Sequence, residues 1–290
     1  MISGVLRILV PLAILAGSAH GQLVSSLRLS KSQYVAGEPV IAIVTITNHS
    51  GRDLVLQAQN RVPWMDFLIR NLNGRPVTSP QNTTFGALKI GAGQSMAREV
   101  DLTQHFRLFE PGSFSVAAVV RMPGGQAGDT ATNRVVFNLD PGRLYWSQKV
   151  GIASKPGQTR EFRVLNFSGE QKSQLYAQVI DNRTGMPLST FLMGESLSLR
   201  KPTVTVDRNQ RLHVLFLATP TMYLHCEVDS DGRLLNRQIH QRGAQGDPML
   251  MTSTTGAVGV ANSIPYDPKA VAAAKAKARK ASDRPAFIYE

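Results

Sequence analysis

Six histidines and one cysteine are the side chains of this sequence best suited to binding a metal ion. Three of them, His213, His225 and Cys226, fall on neighbouring predicted strands, and zinc prefers such nitrogen and sulfur ligands. A shared site would require all three side chains to converge. Because His225 and Cys226 are adjacent, they point to opposite faces of one strand. We therefore expect no metal site, and Cys226, which lies in an apolar run, is typical of a small buried side chain.

The sequence lacks the short motifs that carry common catalytic chemistry. It contains no H-E-x-x-H zinc motif, no G-x-S-x-G nucleophile elbow and no glycine-rich phosphate loop. The stretch from Asp229 to Gly232 is similar to the start of a calcium loop, but the later glutamate is missing, which favours a hairpin turn. The sequence thus predicts a non-enzymatic protein with no catalytic, cofactor-binding or metal-binding residues.

The charge balance indicates anionic partners. The formal net charge is +12 and the isoelectric point is near 10.2. Such a balance favours envelope lipid, acidic glycan or nucleic acid. The basic residues are spread along the chain and do not alternate with aromatic residues in a nucleic-acid motif. We therefore expect a protein or an anionic envelope component as partner, and no specific nucleic-acid binding.

The first 21 residues are typical of a secretory signal. Arg7 supplies the positive charge, and residues 8–16 form an apolar run too short to span a bilayer. Small residues favour cleavage after Gly21, with cleavage after Ala19 as an alternative. A retained anchor or a buried N-terminal strand are the other interpretations. The sequence predicts a secreted or periplasmic protein without a transmembrane segment in the mature chain, and one cysteine excludes an intrachain disulfide.

The sequence predicts that the chain is built from strands, which must position the histidines and the cysteine. Residues 40–47 alternate between apolar and polar and are rich in β-branched residues, which fit a pleated sheet. Gly37 and Pro39 precede this run, residues 48–51 break it, and residues 54–56 resume it. The simplest prediction is two antiparallel strands with one face buried.

Further short strands follow at regular spacing up to residue 140, which is the pattern of a Greek-key sandwich. On one of them, Phe114, Val116, Ala118 and Val120 share a face. On another, the predicted inner residues are Met96, Val100 and Leu102. Residues 22–140 are therefore expected to form one β-sandwich domain.

The motifs G-E-P-V at residues 37–40, N-x-S at 48–50 and L-x-x-P-G-x-F-x-V at 108–116 resemble the immunoglobulin-like modules of bacterial exported proteins. They are also similar to macroglobulin-type modules and to BsuPI-type proteinase-inhibitor domains. The resemblance covers about half of the mature chain and implies a fold, because its motifs are structural. It leaves a proteinase inhibitor as an alternative function, although the sequence has no thioester-like Cys-Gly-Glu-Gln segment.

Residues 141–262 are expected to form a second antiparallel β domain of three hairpins. The hairpins join 161–167 to 173–181, 203–207 to 211–218, and 223–229 to 233–239. A faint repeat relates 175–181 to 223–229 and 202–206 to 248–252, offset by about one propeller blade. The segment is too short for a closed propeller. We predict either a truncated, blade-like sheet or a second sandwich.

A glycan-active enzyme is the second alternative, which the blade-like strands favour. It requires two carboxylates that converge on a glycosidic bond. The aspartates of this region lie mainly at predicted turns: Asp181, Asp207, Asp229 and Asp231.

The tail, residues 263–290, is rich in alanine and lysine and is expected to be a short helix or disordered. Four N-x-S/T sequons would matter only in a glycosylating host: Asn48, Asn82, Asn166 and Asn182. The leading prediction is an exported, non-enzymatic binding or scaffold protein of the bacterial envelope that acts through sandwich loops or sheet edges.

Overall fold

The computed structural model describes residues 23–79, 84–122, 129–152, 155–168 and 173–267, with the helical positions Lys269, Ala272, Ala273 and Ala276. The predicted signal peptide and the other residues of the predicted tail after residue 267 lie outside the described residues. In the described part of the chain, no helix is long and apolar enough to cross a bilayer.

Extended backbone dominates the described chain, in keeping with its many β-branched residues. The sheets described are almost all antiparallel, and the prediction of an all-β fold is confirmed. Ten of the strands described lie before residue 141: β1 (Leu23–Leu29), β2 (Gln33–Val35), β3 (Ile41–Asn48), β4 (Leu54–Leu56), β5 (Met65–Asn71), β6 (Leu88–Ile90), β7 (Ser95–Asp101), β8 (Gly112–Val120), β9 (Thr130–Ala131) and β10 (Val135–Asp140).

These ten strands, which we call the first region, form two larger sheets and one small pair. One sheet has the order β1-β3-β7, the other has the order β2-β10-β8-β5 with β9 beside β8, and β4 pairs with β6. The β2–β10 pairing is parallel, and the others are antiparallel. Residues of both larger sheets share one buried apolar cluster that extends from Leu23 to Leu139.

Period-two alternation sets which side chains reach this cluster. Strand β8 buries all four residues that were predicted to share a face. Val100 and Leu102 are also buried, whereas Met96 is 39% exposed. Met96 lies opposite Ile46 and shares its face, but β7 is at the edge of its sheet, where burial is incomplete.

The predicted pairing of residues 40–47 with 54–56 is also wrong. Strand β3 pairs with β1 and β7, whereas β4 pairs with β6. Asn48 causes the change of sheet: its Nδ2 donates to the carbonyl oxygens of Arg52 at 2.7 Å, Ile90 at 3.1 Å and Gly91 at 3.1 Å. Its Oδ1 accepts from the amide of Ser50 at 2.9 Å. The segment after β3 is therefore a side-chain-tied corner and not a hairpin turn.

The second region comprises the strands described after residue 142, all of which pair antiparallel: β11 (Arg143–Gly151), β12 (Thr159–Ser168), β13 (Ser173–Asp181), β14 (Met186–Glu195), β15 (Thr203–Val206), β16 (Leu212–Thr219), β17 (Met222–Val228), β18 (Leu234–Arg242), β19 (Met249–Thr252), β20 (Val258–Ala261) and β21 (Ser263–Pro265).

Two consecutive meanders organise the second region. They have the orders β11-β12-β13-β14 and β15-β16-β17-β18-β21, and β19 pairs with β20. The three predicted hairpins, β12–β13, β15–β16 and β17–β18, are confirmed. In the predicted repeat, β13 and β17 are each the third strand of a meander, whereas β15 begins a five-stranded sheet and β19 belongs to a two-stranded pair.

The sheets of the second region are stacked in layers. The facing sides of the two meanders share an apolar cluster that includes Phe162, Val214 and Cys226. The opposite side of the first meander packs against Val35 of the first region. The opposite side of the second meander packs against Val260 and its neighbours on the β19–β20 pair. Each meander is therefore covered on both faces.

Candidate functional site: a cleft between the two regions

A buried polar network joins the two regions. Glu38 of the first region is 6% exposed and pairs with Lys31, and its Oε2 accepts from the amide of Val35 at 3.1 Å. From the second region, the hydroxyl of Tyr176 donates to Oε1 of Glu38 at 3.4 Å. Burial, and then the nearby Glu38 carboxylate, raise the pKa of Tyr176. The neutral phenol is thus held as a hydrogen-bond donor at the junction.

Gly37 packs tightly against β14 of the second region. Its φ angle is +86°, and a Cβ atom there would lie 2.9 Å from Oγ1 of Thr190 and 3.1 Å from Cγ of Pro187. Thr190 cannot move freely, because it is buried and accepts a 3.0 Å hydrogen bond from Nε2 of Gln178. Glycine is therefore required by both the backbone conformation and the space.

We predict that Gly37→Ala lowers the free energy of unfolding by about 2–3 kcal/mol, from left-handed backbone strain and overpacking together. Gly51→Ala is the matched control, since Gly51 has a φ angle of +74° but no atom within 4 Å of its Cβ position. The control should lose only about 1 kcal/mol, the strain alone. Urea unfolding of both variants measures the difference, and equal losses would contradict the close approach.

The junction leaves a cleft of about 420 Å³. The first region contributes the segment from Asp101 to Phe109, and the second region contributes Met186–Thr190 of β14. A groove of about 620 Å³ begins at the same segment, with Arg107 and Phe109 lining both spaces. The groove adjoins the cleft at these two residues, and its other lining residues all belong to the first region.

Strand β14 offers a backbone edge to this cleft. In the described chain β14 pairs with β13 and has no strand on its other side. Leu188, in its first half, is 45% exposed and lines the cleft. An unpaired edge presents a row of N–H and C=O groups that can pair with another extended chain. The open ladder is irregular here, because Pro187 has no N–H to donate and the register shifts between Ser189 and Pro187, so an added strand would pair with part of this edge.

Two charged side chains line the cleft, Asp101 and Arg107, and they differ in whether they already bind a group of the protein. Asp101 caps the 3-10 turn Leu102–Gln104, and its Oδ1 accepts from the amide of Thr103 at 3.0 Å. Arg107 is exposed and has no carboxylate partner among the residues that the structure describes. Its guanidinium group is thus available to an acidic side chain of a ligand.

The histidines singled out from the sequence form a separate, buried cluster. Nδ1 of His213 and Nε2 of His225 are 3.1 Å apart, and the two rings are stacked with their centroids 5.3 Å apart. The ring centroid of His240, on the next strand, is 6.0 Å from that of His225. Nε2 of His213 lies 3.4 Å from Oδ2 of Asp207. We call these four residues the histidine cluster.

Cys226 does not join this cluster. As the alternation predicts, it points to the opposite face of β17 and packs between the two meanders. Burial raises the pKa of its thiol to about 12, so the thiolate is disfavoured. Within the described residues no three metal-ligating side chains are placed to hold an ion.

Desolvation disfavours the charged form of two histidines, His225 and His240. Burial lowers the pKa of His225 to about 4, with smaller contributions from His213 and His240, while Glu227 opposes the shift. Burial also lowers the pKa of His240, whose Nδ1 lies 3.1 Å from Oγ of Ser263. At neutral pH the rings of His225 and His240 therefore pack as neutral aromatic groups and not as cations.

The four aspartates considered for glycan chemistry are spread over the second region. Asp181 pairs with Arg160 at 3.0 Å, and Asp207 belongs to the histidine cluster. Asp229 accepts from the backbone amide of Arg233 at 2.8 Å in the β17–β18 turn. Asp231 is exposed in the same turn. These carboxylates serve turns and buried pairs.

Sequence reasoning did not single out Arg107, Phe109 or Leu188 as functional residues. The first two lie in the chain that links β7 to β8, about 80 positions before Leu188. Strand β14 was not predicted, because its sequence MPLSTFLMGE does not alternate regularly between apolar and polar residues. The cleft exists only once the two regions are docked.

Comparisons with known proteins add little to this description. No family model matches the chain, and no curated protein matches it. Among solved structures it is similar to Spo0M, a sporulation control protein from Bacillus subtilis, with 11% identity over 58% of this chain and 83% of that chain. The TM-score is 0.28, which is too low to support an argument about fold or function.

Proposed function

We propose that this protein is an exported, non-enzymatic binding or scaffold protein of the bacterial envelope. We also propose that the first region is an immunoglobulin-like sandwich and that the second is a truncated, blade-like unit. The site of action is the cleft between them, and the ligand is an extended segment of a partner protein. The observation that carries this proposal is the unpaired edge of β14 along a cleft walled by the other region.

Strand addition at β14 explains how the parts of the cleft work together. The ligand backbone pairs with the free edge of β14, and alternate side chains enter the cleft. Apolar ligand residues contact Phe109 and Leu188, which line it. An acidic ligand residue pairs with Arg107. The network around Glu38 holds both walls at a fixed separation, so little ordering of the protein is needed on binding.

Selection of short random peptides displayed on phage tests this proposal. We predict recovery of sequences that alternate apolar residues and contain an acidic residue. Arg107→Glu should weaken the selected peptide by about tenfold or more, which corresponds to roughly 1.4 kcal/mol. Arg134→Glu is the control. It makes the same charge change at an exposed residue that directly precedes β10 and does not line the cleft, so it should leave the affinity unchanged.

Backbone methylation separates strand addition from simple groove binding. A selected peptide with N-methyl groups at alternate residues keeps its side chains but loses hydrogen-bond donors, and it should no longer bind. Methylated peptides that bind as well as their parents, or affinities indifferent to Arg107→Glu, would exclude the proposed mode.

A further inference from the structure

A second depression lies at one end of the first meander, lined by the segment that joins β14 to β15. Its volume is about 480 Å³, within the range of small-ligand sites. Three cationic side chains line it, Arg143, Arg200 and Lys201, and its lining includes no carboxylate. Hydroxyl and amide groups make up much of the remaining wall, including Ser196 and Ser198. We call this space the basic pocket.

Two of the three cations are unpaired. Arg200 is already engaged, since its Nη1 contacts the hydroxyl of Tyr223 at 3.0 Å and pairs with Asp247. Arg143 and Lys201 are exposed, and neither forms an ion pair with another described residue. Like charges in one pocket repel each other, and an anion placed between them relieves the repulsion. The pocket thus has two charges to offer to a ligand.

A β-bulge shapes the wall of the pocket. The register of β11 against β12 shifts between Leu144 and Trp146, which leaves Tyr145 as the extra residue. Bulges re-aim a side chain, and here the hydroxyl of Tyr145 donates to the carbonyl oxygen of Pro202 at 2.8 Å. The ring is thereby fixed in the pocket wall, and 37% of Tyr145 stays exposed. A fixed, exposed aromatic face is suited to the apolar face of a ring-shaped ligand.

A hydrogen bond within the pocket orients a further donor. The hydroxyl of Ser173 donates to Oδ1 of Asn166 at 2.7 Å, which assigns the amide oxygen to that bond. Nδ2 of Asn166 is left as a donor. Together with the guanidinium of Arg143 and the ammonium of Lys201, the pocket presents donors for oxyanion acceptors.

We propose that the basic pocket binds an acidic sugar unit of a polysaccharide, through an oxyanion of carboxylate or phosphate type. Arg143 and Lys201 bind the anion, Tyr145 packs on the apolar face of the sugar ring, and the serine hydroxyls and Asn166 bind sugar hydroxyls. This site is separate from the cleft at β14, and the two share no lining residue. The inference therefore stands or falls independently of the proposed peptide binding.

Binding of defined polymers to the purified full chain, measured by calorimetry, tests the inference. The probes are polygalacturonate as a carboxylate glycan, a sugar-phosphate polymer, neutral dextran, inorganic polyphosphate and vesicles of phosphatidylglycerol. We expect binding to at least one of the two acidic glycans, no binding to dextran, and at least about tenfold weaker binding to the two sugar-free polyanions.

Variants assign that binding to the pocket. The double variant Arg143→Gln/Lys201→Gln should weaken glycan binding by about a hundredfold, roughly tenfold for each charge-assisted contact. Lys149→Gln is the control, because Lys149 is exposed on the same strand as Arg143 but does not line the pocket. It should change the affinity less than about twofold, since a distant surface charge is screened by salt. Arg107→Glu, in the cleft, should bind glycan like the wild type, and a thermal melt confirms that each variant is folded.

Two outcomes would overturn the inference. Equal losses in the double variant and in Lys149→Gln would mean that binding reflects net charge alone. Affinity for polyphosphate or vesicles equal to that for the acidic glycans would assign the pocket to polyanions in general. A Tyr145→Leu variant gives a further check, because loss of the ring should weaken the glycan complex and leave any polyphosphate binding unchanged.

Discussion

Asn48→Ala is expected to lower the free energy of unfolding by about 2–4 kcal/mol, because it removes the side-chain donor from the buried carbonyl of Ile90 and the part-buried carbonyl of Gly91. Asn48 has no exposed surface, and its Nδ2 serves the backbone oxygens of Arg52, Ile90 and Gly91. Each unsatisfied buried polar group costs about 1–3 kcal/mol. Alanine also leaves a small void and removes the acceptor for the amide of Ser50.

Urea unfolding of Asn48→Ala and Ser50→Ala measures this contribution. Ser50→Ala keeps the Asn48 amide and removes a partly exposed hydroxyl that donates to Oδ1 of Asn48 and to the carbonyl oxygen of Arg52, so it should lose only about 1 kcal/mol. Asn48→Asp tests the donors alone: its carboxylate oxygen would face three carbonyl oxygens, and it should be at least as unstable as the alanine variant. A loss below about 1 kcal/mol in Asn48→Ala would refute the proposed corner.

Acidification from pH 6.5 to about 4 is expected to remove about 3 kcal/mol of stability through His225 alone. In the folded chain the pKa of His225 is lowered to about 4, whereas in the unfolded chain it takes its ordinary value near 6.5. Between these values the unfolded state binds more protons, so the free energy of unfolding falls as the pH falls. Above pH 6.5 the stabilisation that comes from neutral His225 is fully present. Below about pH 4 His225 is protonated in both states, so its titration lowers the free energy of unfolding no further.

The surroundings of His225 determine the size of this effect. His213 and His240 flank it and oppose its charging, while Asp207 and Glu227 are the nearby carboxylates. The pKa of His240 is also lowered, so it adds a loss of the same sign. Protonation puts charge under the β19–β20 pair, which packs on the same face of the second meander. The second region is therefore expected to loosen first in acid.

Free energies of unfolding at a series of pH values test this prediction. His225→Gln preserves a hydrogen-bonding partner for His213 and removes the titrating group, so it should flatten the profile between pH 6.5 and 4. His49→Gln is the matched control, because His49 is exposed after β3 and its replacement should leave the profile unchanged. A wild-type profile that is flat in this window would contradict a buried, neutral His225.

The hairpins of the second region could be predicted because their strands are neighbours in sequence. Short polar turns join Thr203–Val206 to Leu212–Thr219 and Met222–Val228 to Leu234–Arg242, so that periodicity and turn chemistry decide the pairing locally. The opposite orientations of His225 and Cys226 follow from the same local alternation.

The pairings of the first region could not be predicted in this way. Ile41–Asn48 lies between Leu23–Leu29 and Ser95–Asp101, and the latter is far away in sequence. The local turn signal after Asn48 resembled a hairpin, but the asparagine side chain ties a corner between two sheets instead. Long-range pairing depends on how whole sheets pack, which alternation within one strand does not encode.

Candidate sites were the least predictable part of the fold. The histidine cluster includes His240, which lies on β18 opposite Tyr223. Its position depends on the β17–β18 register, which shifts between Glu227 and Val228. The basic pocket depends on a bulge at Tyr145 that brings its hydroxyl to Pro202, more than fifty positions later. Charge counts indicated anionic partners, but only the folded chain shows where unpaired cations meet.

Strand β21 has a protective consequence for the second meander. It pairs with His240–Arg242 of β18 and so covers part of an outer ladder that would otherwise be open. Exposed ladders recruit other chains and lead to fibrillar or amorphous aggregates. A proteolytic cut between Ala261 and Ser263 would release this cover and break the contact between Ser263 and His240. We expect such a nick to open this part of the β18 ladder to pairing with other chains.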